Sequence, residues 1–125
     1  MALNAAKAGM AQGVSAYGES HPNSFQSLAL PVANRKNMGV IAMKIFAQEG
    51  LSGKAPAEKL IQYSMSLPVS AVVVGMPKLE FIDANITTAK AFKPMGKSEM
   101  KEFSSHLAAE HKAKLDIFFH DHVDC

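Results

Sequence analysis

Two short apolar runs constrain the fold of this chain more than any other feature. The first, Val40–Met43, follows Gly39, and the second, Val69–Val74, lies between Pro68 and Gly75. Neither run alternates between apolar and polar residues, which is typical of strands that are covered on both faces in a parallel sheet. We therefore expect both runs to be buried strands.

Stretches with helical periodicity surround these runs. Helices are predicted from Ser24 to Arg35, after Pro56 up to Leu67, over Leu79–Ala91 and from Ser98 onward. In the second of these helices, Ala57, Leu60, Ser64 and Leu67 fall on one face. In the last, the positions expected to pack inward are Met100, Phe103, Leu107, Leu115, Phe118 and Phe119. Met1–Ala6 is predicted to form a further short strand, and residues 7–23 to form a long loop. Strands that alternate with amphipathic helices predict an α/β chain with a parallel sheet.

A sheet of three parallel strands cannot close into a barrel and keeps two unpaired edges. The 125 residues are enough for one domain and too few for two. We therefore expect the chain to be part of a larger unit.

Charge and hydropathy exclude several classes of partner. The net charge is +2 and the basic residues are scattered, so the sequence predicts no nucleic-acid partner. No apolar run approaches 18 residues, and the chain opens without an export signal, so we expect no membrane span and a cytoplasmic location by default. The single cysteine, Cys125, does not decide the compartment.

Two segments carry a resemblance to a known family. Asn37–Phe46 (NMGVIAMKIF) and Ser66–Met76 (SLPVSAVVVGM) resemble the seventh and eighth strands of the aldo/keto reductases, with the loops that follow. Leu79–Ala91, with Asn85 inside it, resembles the helix after the eighth strand, and Leu28–Ala33 resembles the helix before the seventh.

The resemblance implies a partial TIM (β/α)8 barrel, roughly strands 6–8 with their helices. Residues 1–125 would form a C-terminal fragment of such a barrel. In it, 1–24 would hold a remnant strand and a long loop, 25–92 the βα units, and 93–125 the C-terminal helix and tail.

The same resemblance implies a cofactor site for NADPH or NADH. Met43, Lys44, Ile45 and Phe46 would line the pocket around the ribose and pyrophosphate, with Lys44 paired to a phosphate. The alternative for Lys44 is a strand-end lysine in solvent. Because loops at the carboxyl ends of barrel strands form the site, this position fits a ligand-binding role.

The segment after the second run would hold the adenosine end of the cofactor. Gly75 allows close backbone approach, Met76 and Pro77 follow it, Lys78 adds positive charge, and the next helix begins there. Asn85 would reach the adenine, or it is an exposed helix residue. The chain departs from the family at Phe81, where Arg or Gln is usual, and at Ala84, where Glu is usual.

The family reduces aldehydes and ketones with NAD(P)H through an Asp, Tyr, Lys and His tetrad. Neither Tyr17, Tyr63 nor any histidine stands in a matching motif, so no catalytic residue is assigned. We expect the full-length relative to act on a small carbonyl substrate and this chain alone to be inactive. The alternative is a non-catalytic module that associates with itself or other pieces through open strand edges.

Two further patterns carry little weight. His120–Cys125 contains metal-ligand types, but its spacing fits no closed zinc site, so no metal residue is assigned and a polar tail is favoured. Gly50–Lys54 lacks the spacing of a phosphate-binding loop and is discounted.

Overall fold

The structure, a computed structural model, describes residues 25–47 and 50–120. Its elements are four helices and two short strands, and their order alternates until the last two helices. They are α1 (Phe25–Arg35), β1 (Ile41–Ala42), α2 (Ala57–Ser66), β2 (Ala71–Val72), α3 (Glu80–Lys90) and α4 (Lys97–His120). Each lies within or next to the segment predicted for it, whereas Met1–Ala6 and the loop to residue 23 lie outside the described residues.

The two strands form a parallel pair. Ile41 lies opposite Ala71 and Ala42 lies opposite Val72. The carbonyl of Ala42 also accepts a hydrogen bond from the N–H of Val73 at 2.8 Å. The pair aligns the carboxyl ends of both strands at one edge, as parallel pairing requires.

The prediction that the chain forms part of a TIM (β/α)8 barrel, with strands 6–8, is wrong. The described residues form a mostly helical chain whose sheet has two strands, each two residues long. Each strand has one partner in the described part, so only a small part of each apolar run joins the ladder. Strand pairing depends on neighbours distant in sequence, and an apolar run does not itself supply them.

The expectation that both strand faces are buried is wrong as well. Ala42 is fully buried, but Ile41 is 61% exposed and Met43 is 56% exposed. One face of β1 therefore carries apolar side chains into solvent.

Helices and loops, rather than the sheet, build the core. α2 supplies Leu60 and Tyr63, Leu67 follows its last residue, and α4 supplies Met100 and Leu107. Further core residues come from α1, from the loop after β1 and from the segment before α4. They are Leu30, Ala47, Leu51 and Met95. Burial of these side chains is the main favourable term that holds the helices together.

The predicted inner face of α2 agrees with this core except at its first position. Leu60, Ser64 and Leu67 are buried, whereas Ala57 is exposed. On α4, Met100 and Leu107 are buried and Phe103 is half-buried. The side chains of Leu115, Phe118 and Phe119, which the sequence also places inward, lie outside the described part.

α1 ends in a Schellman motif. The N–H of Met38 donates to the carbonyl of Ala33, and the N–H of Asn37 donates to the carbonyl of Asn34, both at 3.0 Å. Asn37 has a φ of 53°, the left-handed conformation that this motif requires at its turning residue. The motif ends the helix shortly before β1.

α3 differs from the other helices because none of its residues is buried. Its apolar residues Ile82 and Ile86 are 38% and 46% exposed, and Leu79, just before the helix, is 83% exposed. Within the described residues, no helix combines the length and the apolar character needed to cross a membrane.

Candidate functional site

A cavity of about 530 Å³ lies at the carboxyl-end edge of the two strands. The segments that follow β1 and β2, the loop before α2 and the first half of α3 form its wall. Six of the nine residues predicted to bind a cofactor line it: Lys44, Ile45, Phe46, Gly75, Pro77 and Asn85. Ligands commonly bind at this edge of parallel sheets, so this cavity is the candidate site.

The other three predicted residues are not part of the cavity wall. Met43 is exposed at the end of β1, and Met76 lines a second groove. The Nζ of Lys78 lies 3.9 Å from the carboxylate of Glu80 and 5.8 Å from the ring centroid of Phe81. Lys78 thus interacts with the first two residues of α3 and is not part of the cavity wall.

The turn after β1 has unusual backbone geometry. Lys44 has a φ of 57° and Ala47 a φ of 50°. Residues other than glycine adopt this left-handed backbone region at an energetic cost. The N–H of Ala47 donates to the carbonyl of Lys44 at 2.8 Å, which closes the turn. Ile45, at the cavity wall, is almost fully buried. Such strain concentrates at ligand-binding segments, and here it borders the cavity.

The loop before α2 contributes residues that sequence reasoning missed. Ser52 and Gly53 line the cavity, although they belong to Gly50–Lys54, whose spacing does not fit a phosphate-binding loop. The rest of the unpredicted wall is mostly apolar. It comprises Ala55, Ala57, Leu60, Val73, Phe81 and Ala84. The signal that could have found Ser52 and Gly53 is topological, because any strand-to-helix connection starts at the carboxyl edge of the sheet.

Gly75 leaves space at the wall. A Cβ added at this position meets no atom within 4 Å, and the residue has no left-handed φ that would exclude a side chain. The lack of a side chain at Gly75 therefore leaves open volume beside the backbone, as close approach of a ligand requires.

The start of α3 is less suited to an anion than the sequence suggests. The N–H of Phe81 donates to the carbonyl of Lys78 at 3.1 Å, and the N–H of Ile82 donates to that of Leu79 at 3.0 Å. Glu80 and Asp83 add two carboxylates to the first turn. Those carboxylates occupy the position where the helix dipole would favour a phosphate.

Asn85 is the polar residue that α3 brings to the cavity. It is half-buried and also borders the second groove, of about 490 Å³, between α2, β2 and α3. Ile61, Met65 and Ile82 are among the apolar residues of that groove. Asn85 therefore lies where the two cavities meet.

Tyr63 is placed away from the cavity. Its side chain is fully buried, and its hydroxyl accepts a hydrogen bond from Nε2 of Gln26 at 3.1 Å. Tyr17 and the tail 121–125 lie outside the described residues. Among the residues that are described, no group of three or more His, Cys, Asp or Glu side chains could hold a metal ion.

Comparison with protein-family models, with curated proteins and with solved structures finds no match to this sequence. Any assignment of function to this chain therefore depends on the geometry of the cavity and on the residues that line it.

Proposed function

We propose that this chain binds a nicotinamide dinucleotide, NADH or NADPH, in the cavity after β1 and β2, as part of a reductase for a small aldehyde or ketone. The convergence of Lys44, Ile45, Phe46, Gly75, Pro77 and Asn85 on one cavity supports this proposal more than any other observation. These residues come from three separate segments, and the family resemblance selects them independently of the cavity.

The character of the cavity fits such a ligand. Its volume lies within the usual range for small-molecule sites, roughly 300–1,000 Å³, and most of its wall is apolar. A planar base of the cofactor would fit against the ring of Phe81, while Lys44, Ser52 and Asn85 offer polar contacts to it. The open space beside Gly75 would allow the dinucleotide to approach the protein backbone closely. When bound, a nicotinamide dinucleotide supplies a hydride for carbonyl reduction.

The residues of this chain would hold and orient the dinucleotide rather than perform proton transfer. Lys44 would bind a phosphate by its charge, and Asn85 would donate to or accept from the adenine. No catalytic residue is assigned to this chain, so we expect dinucleotide binding without aldehyde reduction.

Calorimetric titration of the 125-residue chain with NADH and NADPH tests the proposal. We expect a Kd roughly between 1 μM and 1 mM for at least one of them. Lys44→Gln and Asn85→Ala should each weaken binding by about fivefold or more. Lys101→Gln and Asn34→Ala change exposed helix positions outside the cavity wall and should leave the Kd unchanged. Absence of binding at millimolar concentration, or equal effects in both pairs of variants, would overturn the proposal.

A second function, assembly through the strand edges, is favoured by the exposed face of β1. Ile41 is 61% exposed, and neither strand has a second neighbour in the described part. Unpaired edges with apolar side chains promote association with other strands.

Analytical ultracentrifugation distinguishes this alternative. Assembly is supported if the chain associates more as its concentration rises and Ile41→Lys abolishes this association. The reason is that a charged side chain on an edge strand opposes pairing with a strand of another chain. Lys36→Ile, at an exposed position in the turn after α1, is the control for hydrophobicity elsewhere. A monomer across the concentration range would exclude assembly.

A further inference from the structure

We infer that α3 is a hinged lid beside the cavity and the second groove, and that Asn85 opposes its closure. Four residues of α3 recur at the spacing of one helix face, and all of them line the second groove: Ile82, Asn85, Ile86 and Ala89. A stripe of this kind normally packs against the core. Here Ile82 and Ile86 are 38% and 46% exposed, and no residue of α3 is buried. The stripe therefore faces the rest of the fold without being docked on it.

The wall opposite this stripe is mostly apolar and comes from α2, from β2 and from the residues beside β2. Ile61 is 3% exposed, whereas Met65 and Val72 are half-buried. The groove of about 490 Å³ between the two walls is space that the inner face of α3 would fill if the helix moved inward. Closure would therefore bury apolar surface on both walls, which is favourable.

The hydrogen bonds that attach α3 to the fold lie outside the helix itself. After α3, the N–H of Met95 donates to Oγ of Ser66 at 2.9 Å. Before α3, the N–H of Val73 donates to the carbonyl of Ala42 at 2.8 Å, which is the last bond to the sheet. Among the described residues, no hydrogen bond or ion pair joins 74–91 to another element. The helix can therefore move between its two attachments without breaking a polar contact.

Asn85 is the polar residue that interrupts the apolar stripe. Its side chain is half-buried where the cavity and the groove meet, and no described residue gives it a hydrogen bond. Closure would remove this amide from water without a partner, which costs free energy. That cost opposes the gain from burying Ile82 and Ile86 and keeps α3 in the open position that the structure shows. A ligand that pairs with the amide would remove the cost and favour closure.

Amide hydrogen exchange of the full chain, without any ligand, tests the inference. An undocked helix opens locally, so we expect the amides of α3 to be at least about 100-fold less protected than those of α2. Asn85→Leu replaces the amide with an apolar side chain and should raise protection in α3 by about tenfold or more, because it permits closure. Adding Met65→Gln on the facing wall should return that protection to within about twofold of the wild-type value, since the two positions would then be coupled.

Thr87→Leu is the matched control, because Thr87 is exposed on α3 and lines neither the cavity nor the groove. Threonine and asparagine have similar helix propensities, so both substitutions favour the helix itself to a similar extent, and Thr87→Leu should change protection by less than about threefold. The protection of α2 verifies the fold of every variant. Equal protection of α3 and α2 in the wild-type chain would overturn the inference, because the helix would then already be docked. Equal effects of Asn85→Leu and Thr87→Leu would also overturn it, since helix propensity rather than docking would then account for the change.

Discussion

The hydroxyl of Tyr63 and the side-chain amide of Gln26 hydrogen-bond across 37 positions of sequence, with Nε2 donating at 3.1 Å. This contact joins α2 to α1. The ring of Tyr63 is fully buried and lies 6.1 Å from that of Phe103 on α4, measured between ring centroids. One side chain therefore connects three of the four helices, which explains why a tyrosine occurs in the core.

Removal of this hydroxyl should reduce stability without affecting the cavity. Tyr63→Phe keeps the ring but leaves the amide of Gln26 without this partner, so we expect the free energy of unfolding to fall by about 1 kcal/mol. Urea denaturation measures the change. Gln26→Leu and the double variant complete a cycle, in which the coupling should be at least about 0.5 kcal/mol. Strict additivity would show that the hydrogen bond contributes nothing.

Ser66 at the end of α2 holds the segment that leads into α4. Its Oγ donates to the carbonyl of Gln62 at 2.7 Å and accepts from the N–H of Met95 at 2.9 Å. Ser66→Ala leaves that N–H without its acceptor near the core, and we expect a loss of about 1–2 kcal/mol in the free energy of unfolding. Ser105→Ala, at an exposed position of α4, should change stability by less than about 0.5 kcal/mol. Equal effects of both substitutions would contradict the role of Ser66.

The turning residue of α1 offers a test of backbone conformation. Asn37 has a φ of 53°, so Asn37→Gly removes a steric cost and should stabilise the chain by up to about 1 kcal/mol. Asn37→Val should destabilise it by about 1–2 kcal/mol, because β-branched residues rarely adopt this conformation. Asn34→Gly, inside the helix, should be destabilising by about 0.5–1 kcal/mol. Thermal unfolding compares all three, and stabilisation by Asn34→Gly would contradict the assignment of the motif.

Helix positions are the part of the fold that local sequence can predict. The apolar spacing between Pro56 and Pro68 indicates a helix, and α2 spans Ala57–Ser66. Spacing and proline act within a few residues, so this information is present locally. Both predicted strands occur where expected and pair in parallel, but their length does not follow from local sequence. Val69–Val74 has strong β propensity, yet only Ala71–Val72 lies in a strand, because pairing depends on a distant partner.

The candidate site is predictable in part for a related reason. Residues directly after the strands, such as Lys44 and Gly75, reach the cavity because parallel pairing aligns the strand ends. Ser52 and Gly53 escape prediction because a loop's path depends on tertiary packing. The left-handed backbone at Lys44 also escapes prediction, because the position holds a lysine and not the glycine that would indicate such a conformation. The pairing of Lys78 with Glu80 involves close neighbours, but their proximity alone does not indicate which partner the lysine takes.

The open space beside Gly75 provides the most direct test that the cavity binds a ligand. Gly75→Leu adds a side chain at the cavity wall, at a position where an added Cβ meets no atom within 4 Å. We expect the free energy of unfolding to change by less than about 1 kcal/mol, while dinucleotide binding weakens by at least tenfold because the side chain competes for the ligand's volume. Ala109→Leu adds the same side chain at an exposed position of α4 and should alter neither quantity. Retained binding in Gly75→Leu, with the fold verified by circular dichroism, would show that the dinucleotide does not approach this part of the cavity wall.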